Sequence, residues 1–250
     1  MSKIPVSVAI VTKNEARNIK DALESVKDFD DIVVVDAFSS DNTTEICREY
    51  TKRVYEHEWQ GYAGQKQTAI DYANNGWVLI LDADERVTLE LKQEIMEKVK
   101  ENALSGFYIP RKNFFLGKWI RNSGWWPDHT LRLFRKDVSK MEPRAVHEKV
   151  NVNGPVGHIR APFEHYTYRT ISDYIGKMDN YAALSAEELD NRGFISSFIS
   201  MLFSPMAVFI KMYLVRQGFR DGIHGLVLAV LYSFYTFLKY AKVLERKGGF

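Results

Sequence analysis

The stretch Trp77-Val-Leu-Ile-Leu-Asp-Ala-Asp-Glu-Arg86 decides the fold class. Its first five residues are apolar, and a short apolar run is typical of a strand buried on both faces of a parallel sheet. The run ends at Asp82 and Asp84, and acids at the carboxyl end of such a strand lie where open α/β sheets bind ligands. Two carboxylates one residue apart suit a hard divalent cation. Solvated turn acids are the alternative interpretation.

Two earlier segments repeat the pattern of an apolar strand followed by a polar loop. Residues 6–11 precede Thr12-Lys-Asn-Glu15, and residues 31–35 precede Asp36 and the loop Ala-Phe-Ser-Ser-Asp-Asn-Thr-Thr44. Helical segments are expected between the strands and over residues 88–100. Three strand-and-loop units that alternate with helices predict an α/β fold with a mostly parallel central sheet and its loops on one edge.

Composition and charge limit the classes of function. The only cysteine among 250 residues, Cys47, excludes an internal disulfide framework and a multi-cysteine zinc site, which fits a reducing compartment. Residues 1–192 hold 27 Lys and Arg against 30 Asp and Glu, so a nucleic-acid-binding surface is not expected there. The N-terminus leads directly into a strand, and we therefore expect no signal peptide.

The C-terminal region differs from the rest of the chain. Residues 193–250 hold 7 Lys and Arg against 2 Asp and Glu, and they include two uncharged stretches, 193–210 and 222–238. Both are shorter than the about 20 apolar residues of a straight membrane span, and Pro205 interrupts the first. Apolar helices with basic flanks predict attachment to an anionic membrane surface. Packing against the catalytic domain or a second subunit is the alternative, so oligomerisation stays open.

Residues 111–135 mix aromatic residues with Gly, Asn and Arg, which favours an ordered loop or hairpin that lines a site. The same region carries Asp128, and His147 and Glu148 follow shortly after it.

The ordered motifs Thr12-Lys-Asn-Glu15, Asp36 with Ser40-Asp-Asn-Thr43, and Asp82-Ala-Asp84 resemble those of family 2 glycosyltransferases of the GT-A fold over roughly residues 4–165. Trp126-Pro-Asp128, Arg132-Leu-Phe-Arg135, Val146-His-Glu148 and the basic apolar tail resemble the bacterial glucosyltransferases that extend the inner core of lipopolysaccharide. There are two departures. Val11 stands where the family often has Pro, and Asp36-Ala-Phe-Ser39 replaces the usual Asp-Asp-Gly-Ser.

This resemblance implies a nucleotide-sugar-binding GT-A catalytic domain over residues 1–165, with a nucleotide half to about 105 and an acceptor half from about 106. Residues 166–250 form a helical extension that associates with a membrane or packs. The implied activity is an inverting, metal-assisted transfer of a hexose, glucose as first choice, from a UDP-sugar to a lipopolysaccharide-core, lipid-linked or other cell-envelope glycan acceptor. Mg²⁺ or Mn²⁺ would be the cofactor, and the location the inner face of the bacterial plasma membrane.

The resemblance also implies roles for individual residues. Asp36 would contact the N–H of the base, with Thr12 and Glu15 near the base and ribose. Asp82 would contact the ribose or a metal-bound water, and Asp84 would be the direct metal ligand.

The implied transfer also needs a carboxylate that takes the proton from the attacking hydroxyl. Glu148 is the first choice for this catalytic base and Asp128 the second, whereas His147 is expected to be a structural hydrogen-bonding residue.

Lys66 and Arg132 are candidates for the phosphates of the donor, and a solvated surface lysine is the alternative for Lys66.

Two other classes of protein fit the sequence less well. A sugar nucleotidyltransferase would need a glycine-rich phosphate loop after the first strand, and residues 12–18 contain no glycine. A non-catalytic nucleotide-sugar-binding membrane adaptor would not need Asp82, Asp84 and Glu148, which are all present.

Overall fold

The computed structural model of this chain describes residues 3–142, 149–189 and 191–248. It contains two compact units, the first made of Met1–Lys112 and His129–His165, the second of Asn113–Asp128 and Tyr166–Phe250. The strands are β1 (Ile4–Thr12), β2 (Phe29–Asp36), β3 (Val54–Glu56), β4 (Trp77–Asp82), β5 (Glu85–Val87), β6 (Gly106–Phe115), β7 (Lys118–Trp119), β8 (Asp128–Arg135), β9 (Ser139–Met141), β10 (Val150–Val152), β11 (Val156–His158) and β12 (Phe163–Tyr168). The helices are α1 (Ile19–Val26), α2 (Thr43–Tyr50), α3 (Gly61–Tyr72), α4 (Leu89–Glu101), α5 (Ile171–Glu188), α6 (Phe194–Ile210) and α7 (Ile223–Arg246).

The central sheet has the strand order β3-β2-β1-β4-β8-β6-β12-β5. The first four strands are parallel neighbours, and β8 runs antiparallel to β4. Thr12 is in register with Asp36, and Val11 with Asp82. The carboxyl ends of β1, β2 and β4 therefore lie at one edge of the sheet, which confirms the mostly parallel α/β fold expected from the sequence.

Strand β4 is buried on both faces, as its apolar sequence predicts. Leu79 and Leu81 belong to a core cluster that includes residues of α1 and α4, whereas Val78 and Ile80 belong to a second cluster with residues of α3. Successive side chains of a strand point to opposite faces. Strand β4 is thus covered by helices on both faces, which leaves its carboxyl end as the place for a ligand.

Helix α3 was not expected from the sequence. Its buried side includes Gln65 and Lys66 as well as Ala63, Ala69 and Ile70, so its polar and apolar residues do not separate into two faces. An amphipathic pattern is what identifies a surface helix in a sequence. Its absence explains why this helix, which brings Lys66 to the sheet, could not be recognised.

The second unit contains the three C-terminal helices, and α7 packs against both α5 and α6. Its core includes Phe115, Tyr174, Met178, Leu228 and Ala229. By length and composition, Phe194–Val215 and Ile223–Arg246 are apolar enough to cross a membrane. The two apolar C-terminal helices expected from the sequence are therefore present.

A buried carboxylate joins the aromatic loop of the second unit to its helices. Asp221 lies in the turn before α7 and accepts hydrogen bonds from the backbone N–H groups of Arg121 at 3.2 Å and Asn122 at 2.9 Å. The N–H of Ser123 donates to the carbonyl of Arg216 at 2.9 Å. Buried backbone N–H groups need such acceptors, so the position of this loop depends on the helical region.

Candidate active site

The carboxyl ends of β1 and β2 carry a polar, hydrogen-bonded cluster around a fully buried carboxylate. Asp36 accepts hydrogen bonds from Thr12 Oγ1 at 2.8 Å, from the N–H of Ser39 at 2.7 Å and from Ser39 Oγ at 2.6 Å. The structure thus brings together two of the residues expected near the base. Donors of the chain itself hold the Asp36 carboxylate in a fixed orientation.

The loops that follow these two strands are joined by hydrogen bonds. The N–H of Asn14 donates to Ser39 Oγ, and the N–H of Ser40 donates to Asn14 Oδ1, each at 2.8 Å. The N–H of Glu15 donates to Thr43 Oγ1, also at 2.8 Å. Glu15 therefore lies in the same preorganised loop pair as Thr12 and Asp36.

A cluster of charged side chains lies at the end of β4. Lys66 Nζ is 3.0 Å from Asp82 Oδ1, and Arg132 Nη2 is 2.5 Å from Asp82 Oδ2. Burial raises the pKa of the Asp82 carboxyl, but the positive charges of Arg132 and Lys66 outweigh this effect and hold the pKa well below its usual range. Asp82 is therefore an anion that keeps two cations at the edge of the sheet.

Glu85 extends this cluster and was not selected from the sequence. Its fully buried carboxylate accepts hydrogen bonds from the N–H of Asp82 at 3.0 Å and from Arg132 Nη2 at 3.1 Å, and Arg111 Nη1 lies 3.7 Å away. Glu85 directly follows the two aspartates, but the sequence does not distinguish a buried acid from a solvated one. Arg111 carries no local signal, because its neighbours resemble those of any surface arginine.

Asp84 lies beside a histidine from another strand. His165 Nε2 is 3.5 Å from Asp84 Oδ1, and both side chains are mostly covered. They meet because β12 pairs antiparallel with β5, with His165 in register with Glu85. Sequence reasoning missed His165, since the two residues are about eighty positions apart and only strand pairing joins them.

Residues 7–165 match the model of glycosyl transferase family 2.

The chain belongs to this family.

Relatives of this glycosyltransferase cover nearly its whole length. It is 28% identical over 252 residues to the lipopolysaccharide core biosynthesis glycosyltransferase LpsC of Rhizobium meliloti. This alignment covers 98% of the chain and 93% of the relative. It is also 28% identical over 253 residues to an uncharacterized glycosyltransferase of Rickettsia typhi, which covers 96% and 87%.

Solved structures of low identity share its fold. The mannosyltransferase PcManGT from Pyrobaculum calidifontis, in complex with GDP-Man and Mn²⁺, superposes with a TM-score of 0.56 at 15% identity and covers 98% of this chain and 88% of that one. S. aureus TarS 1–349 in complex with UDP superposes with a TM-score of 0.51 at 17% identity and covers 97% and 91%. Both confirm the fold of the glycosyltransferase.

The glycosyltransferase can be tested for a divalent cation site. No group of three or more His, Cys, Asp or Glu side chains that could hold a metal ion occurs in the described part of the chain. Mg²⁺ sites commonly use only one or two carboxylates and complete their coordination with substrate phosphates and water. The Asp84 carboxylate beside His165 fits such a shared site. Both carboxylate oxygens of Asp82 are already paired with side-chain cations. Its role as a second metal ligand stays a prediction.

The two candidate bases differ in what the structure says of them. Asp128 begins β8 in the second unit and accepts a hydrogen bond from Asn113 Nδ2 at 3.2 Å. Glu148 and its neighbour His147 lie outside the described residues. Both assignments stay predictions.

One residue in the loop that follows β2 of this glycosyltransferase has an unusual backbone conformation. Phe38 occupies the position at which the family sequence usually has glycine. Its φ of 54° lies in the left-handed region that favours glycine, and its ring is 58% exposed. An exposed aromatic side chain held in a costly conformation two residues after Asp36 points to a ligand contact.

Proposed function

We propose that this glycosyltransferase catalyses the inverting transfer of a hexose, glucose as first choice, from a UDP-sugar to a lipopolysaccharide-core or related cell-envelope glycan. The observation that carries the proposal is the register of three strand ends. It brings Asp36, Asp82 and the Asp84 loop to one edge of the sheet, where α/β folds bind nucleotides. Family membership supports the transfer reaction, and the near full-length similarity to LpsC supports the acceptor class.

The donor would lie along this edge with its charge opposite the charged cluster. Asp36 would accept a hydrogen bond from the N–H of the uracil base, and Thr12 and Glu15 would lie near the base and ribose. Lys66 and Arg132 would contact the diphosphate, because they are the cations at the end of β4. Asp82 would orient both cations and contact the ribose or a metal-bound water.

In the proposed reaction, an acceptor hydroxyl oxygen attacks the anomeric carbon of the donor sugar as the bond to the diphosphate oxygen breaks. Attack from the opposite side inverts the anomeric configuration, and UDP leaves with the bonding electrons. The hydroxyl proton passes to a carboxylate, for which Glu148 is the first candidate and Asp128 the second. Asp84, with His165, would hold a divalent cation that acts as a Lewis acid on the leaving diphosphate. Lys66 and Arg132 would add fixed positive charge there.

The proposed location is the inner face of a bacterial plasma membrane, with a lipid-linked or lipopolysaccharide-type acceptor. It is supported by the two apolar C-terminal helices and by the excess of Lys and Arg over residues 193–250. An acceptor that carries its own lipid is reached most readily by an enzyme that stays on the same membrane.

A donor panel tests the proposal. Purified protein is incubated with UDP-glucose, UDP-galactose, UDP-N-acetylglucosamine or GDP-mannose, with and without Mn²⁺, and released nucleoside diphosphate is measured. We expect turnover of UDP-glucose that depends on the cation and is stimulated by lipopolysaccharide-core acceptor. Exclusive use of GDP-mannose would reject the UDP assignment, and cation-independent turnover would reject the metal site.

A further inference from the structure

The polarity of helix α6 is inverted relative to a helix of a soluble core. Ser197 and Ser200 are buried, as is the side chain of Met212 in the turn that follows. The exposed side carries large apolar residues, foremost Ile195, Phe198, Ile199, Leu202, Phe203 and Met206. Only 6% of the most apolar window of Phe194–Val215 is buried within the protein.

The covered side of α6 combines small and polar residues in its first half with Val208 and Phe209, which pack against the core of the second unit. Arg192, just before α6, donates to Ser200 Oγ at 3.0 Å and lies over the ring of Tyr240 on α7. Ser197 Oγ donates to the carbonyl of Gly193 at 3.0 Å. A surface helix in water places its apolar residues against the core. Helices in lipid do the reverse, since small residues pack between helices and apolar residues face the acyl chains.

We infer that α6 lies in the plane of an anionic bilayer, with its exposed apolar side in the acyl-chain region. This inference rests on the proposed function only in that it names the membrane at which the acceptor would be met. It assigns the contact to one side of one helix.

The packing of α7 argues against a membrane-spanning α6. Helix α7 packs along α6 and also along α5. Tyr232 and Tyr235, in the middle of α7, contact Tyr174 and Ser185 of α5. A spanning α6–α7 pair would carry the part of α5 between these two contacts, which includes Lys177 and Asp179, into the hydrocarbon, where charged side chains are costly. An α6 in the plane of the interface leaves this part of α5 in water.

Charge on both sides of α6 favours anionic lipid as the occupant. Arg192 precedes the helix and Lys211, Arg216 and Arg220 follow it, and no Asp or Glu occurs in residues 192–220. Each basic residue near an anionic membrane contributes favourably and is screened by salt. A second copy of this chain would instead bring like charges together. The exposed side chains Val230, Phe234 and Phe237 of α7 add a second apolar stripe.

Vesicle binding tests the inference on the full chain. Sedimentation with vesicles of phosphatidylglycerol and phosphatidylcholine is compared for wild type and for Ile195→Gln/Phe203→Gln/Met206→Gln. The control is Leu89→Gln/Met96→Gln on α4, where Leu89 is 72% exposed and Ile195 74%. The α6 variant should lose more than about tenfold in partitioning, since three apolar side chains no longer leave water. The α4 variant should bind as wild type does, and equal binding by all three proteins would overturn the inference.

The depth of the helix distinguishes an in-plane from a spanning orientation. Burial raises the pKa of Cys47 to about 12, so an introduced surface thiol can be labelled selectively. Fluorophores at Ile195→Cys, Phe203→Cys and Ile210→Cys should be quenched alike by spin-labelled lipids of shallow depth. Deep quenching at 203 with shallow quenching at 195 and 210 would show a spanning helix and overturn the in-plane assignment.

Two further measurements separate this inference from the proposed function. If wild type forms a dimer that the α6 variant disrupts, and neither protein binds vesicles, the apolar side belongs to a second copy and the inference is wrong. UDP binding by calorimetry should be the same for both proteins. A chain that binds vesicles but no UDP would reject the proposed function alone, and a chain that binds UDP but no vesicles would reject the membrane contact alone.

Discussion

Lys66 of α3 and Asp82 of β4 form an ion pair in which Nζ lies 3.0 Å from Oδ1. The Lys66 side chain is only 6% exposed, so its ammonium group is paired with a carboxylate rather than hydrated. Arg132 is equally withdrawn from water and pairs with the other oxygen of Asp82 and with Glu85. The carboxylates of Asp82 and Glu85 thus place counter-charge beside both cations at the edge where the donor diphosphate is expected.

Asp82→Asn is expected to destabilise the protein as well as impair transfer. It leaves Lys66 and Arg132 with less counter-charge, and breaking a buried pair costs about 3 kcal/mol. Denaturant unfolding of the variant should show this loss. Asp84→Asn is the matched control, and it should change the free energy of unfolding by less than about 1 kcal/mol. Equal stabilities of the two variants would mean that the cluster does not stabilise the fold.

Acid should destabilise the protein through Asp31. Burial raises the pKa of this carboxyl, but the Ser7 hydroxyl, the N–H of Asn74 and the Arg53 guanidinium together lower it below its usual value. The stabilisation is complete above the unfolded pKa of about 4 and is lost as the pH falls through the folded pKa. In Asp31→Asn the decline in unfolding free energy below pH 4 should be shallower, by up to about 1.4 kcal/mol per pH unit.

Ser7→Ala provides the comparison for this pH dependence. It removes one hydrogen bond to the Asp31 carboxylate at 2.6 Å but keeps the charge. The folded pKa of Asp31 should then lie closer to the unfolded one, so the acid-induced loss should be smaller and should be complete at a higher pH than in wild type. An unchanged acid profile in both variants would mean that Asp31 does not contribute to acid unfolding.

Phe38→Gly is expected to have opposite effects on stability and on donor binding. A left-handed φ costs a non-glycine residue about 1 kcal/mol, so glycine should not lower the unfolding free energy. Loss of the exposed ring should weaken UDP binding by roughly tenfold, as expected for one lost stacking contact. Phe38→Tyr keeps the ring and should bind UDP as wild type does. Unchanged UDP affinity in Phe38→Gly would remove the ring from the donor site.

The catalytic base can be identified from two isosteric variants. Glu148→Gln cannot accept the acceptor proton and should lower turnover by roughly 10²–10⁴-fold while UDP binding is retained. Asp128→Asn should be milder, because Asp128 is the second choice. If Glu148→Gln turns over normally and Asp128→Asn does not, the base is Asp128.

Substitution of Asp84 should abolish the turnover that depends on a divalent cation, and substitution of His165 should weaken binding of the cation. Asp84→Ala should abolish transfer with little change in stability, since its side chain lies at a loop edge. His165→Gln should raise the Mn²⁺ concentration needed for half-maximal turnover by roughly 10- to 100-fold. Full activity of Asp84→Ala in the presence of a chelator would exclude the site.

The parts of the site that the sequence predicted are those that a single strand carries to the sheet edge. Asp36 and Asp82 end apolar runs, and the parallel register of β1, β2 and β4 then places them on either side of β1 at the same edge of the sheet. Residues brought in by antiparallel pairing or by a helix without an amphipathic face have no such local signal. His165 and the burial of Lys66 belong to this second kind.

The extent of the predicted helical extension could not be derived from hydrophobicity either. Apolar runs predicted helices over the tail, and two apolar helices are present. Residues 113–128 nevertheless group with the tail rather than with the chain segments on either side of them. This grouping reflects packing of Phe115, Ile120 and Trp125 against the tail helices together with hydrogen bonds from the loop to Asp221, all between positions far apart in the sequence.

The hydrogen bonds to the Asp221 carboxylate limit how far the chain can be shortened from its C-terminus. Deletion of the last sixty residues, a routine way to obtain a soluble fragment, would remove the acceptor for the N–H groups of Arg121 and Asn122. The fragment would then contain an aromatic loop without its anchor, a few residues before Asp128. Inactivity of such a fragment would therefore say nothing about whether lipid is required for turnover, and surface substitutions on α6 in the intact chain are the appropriate route to a soluble enzyme.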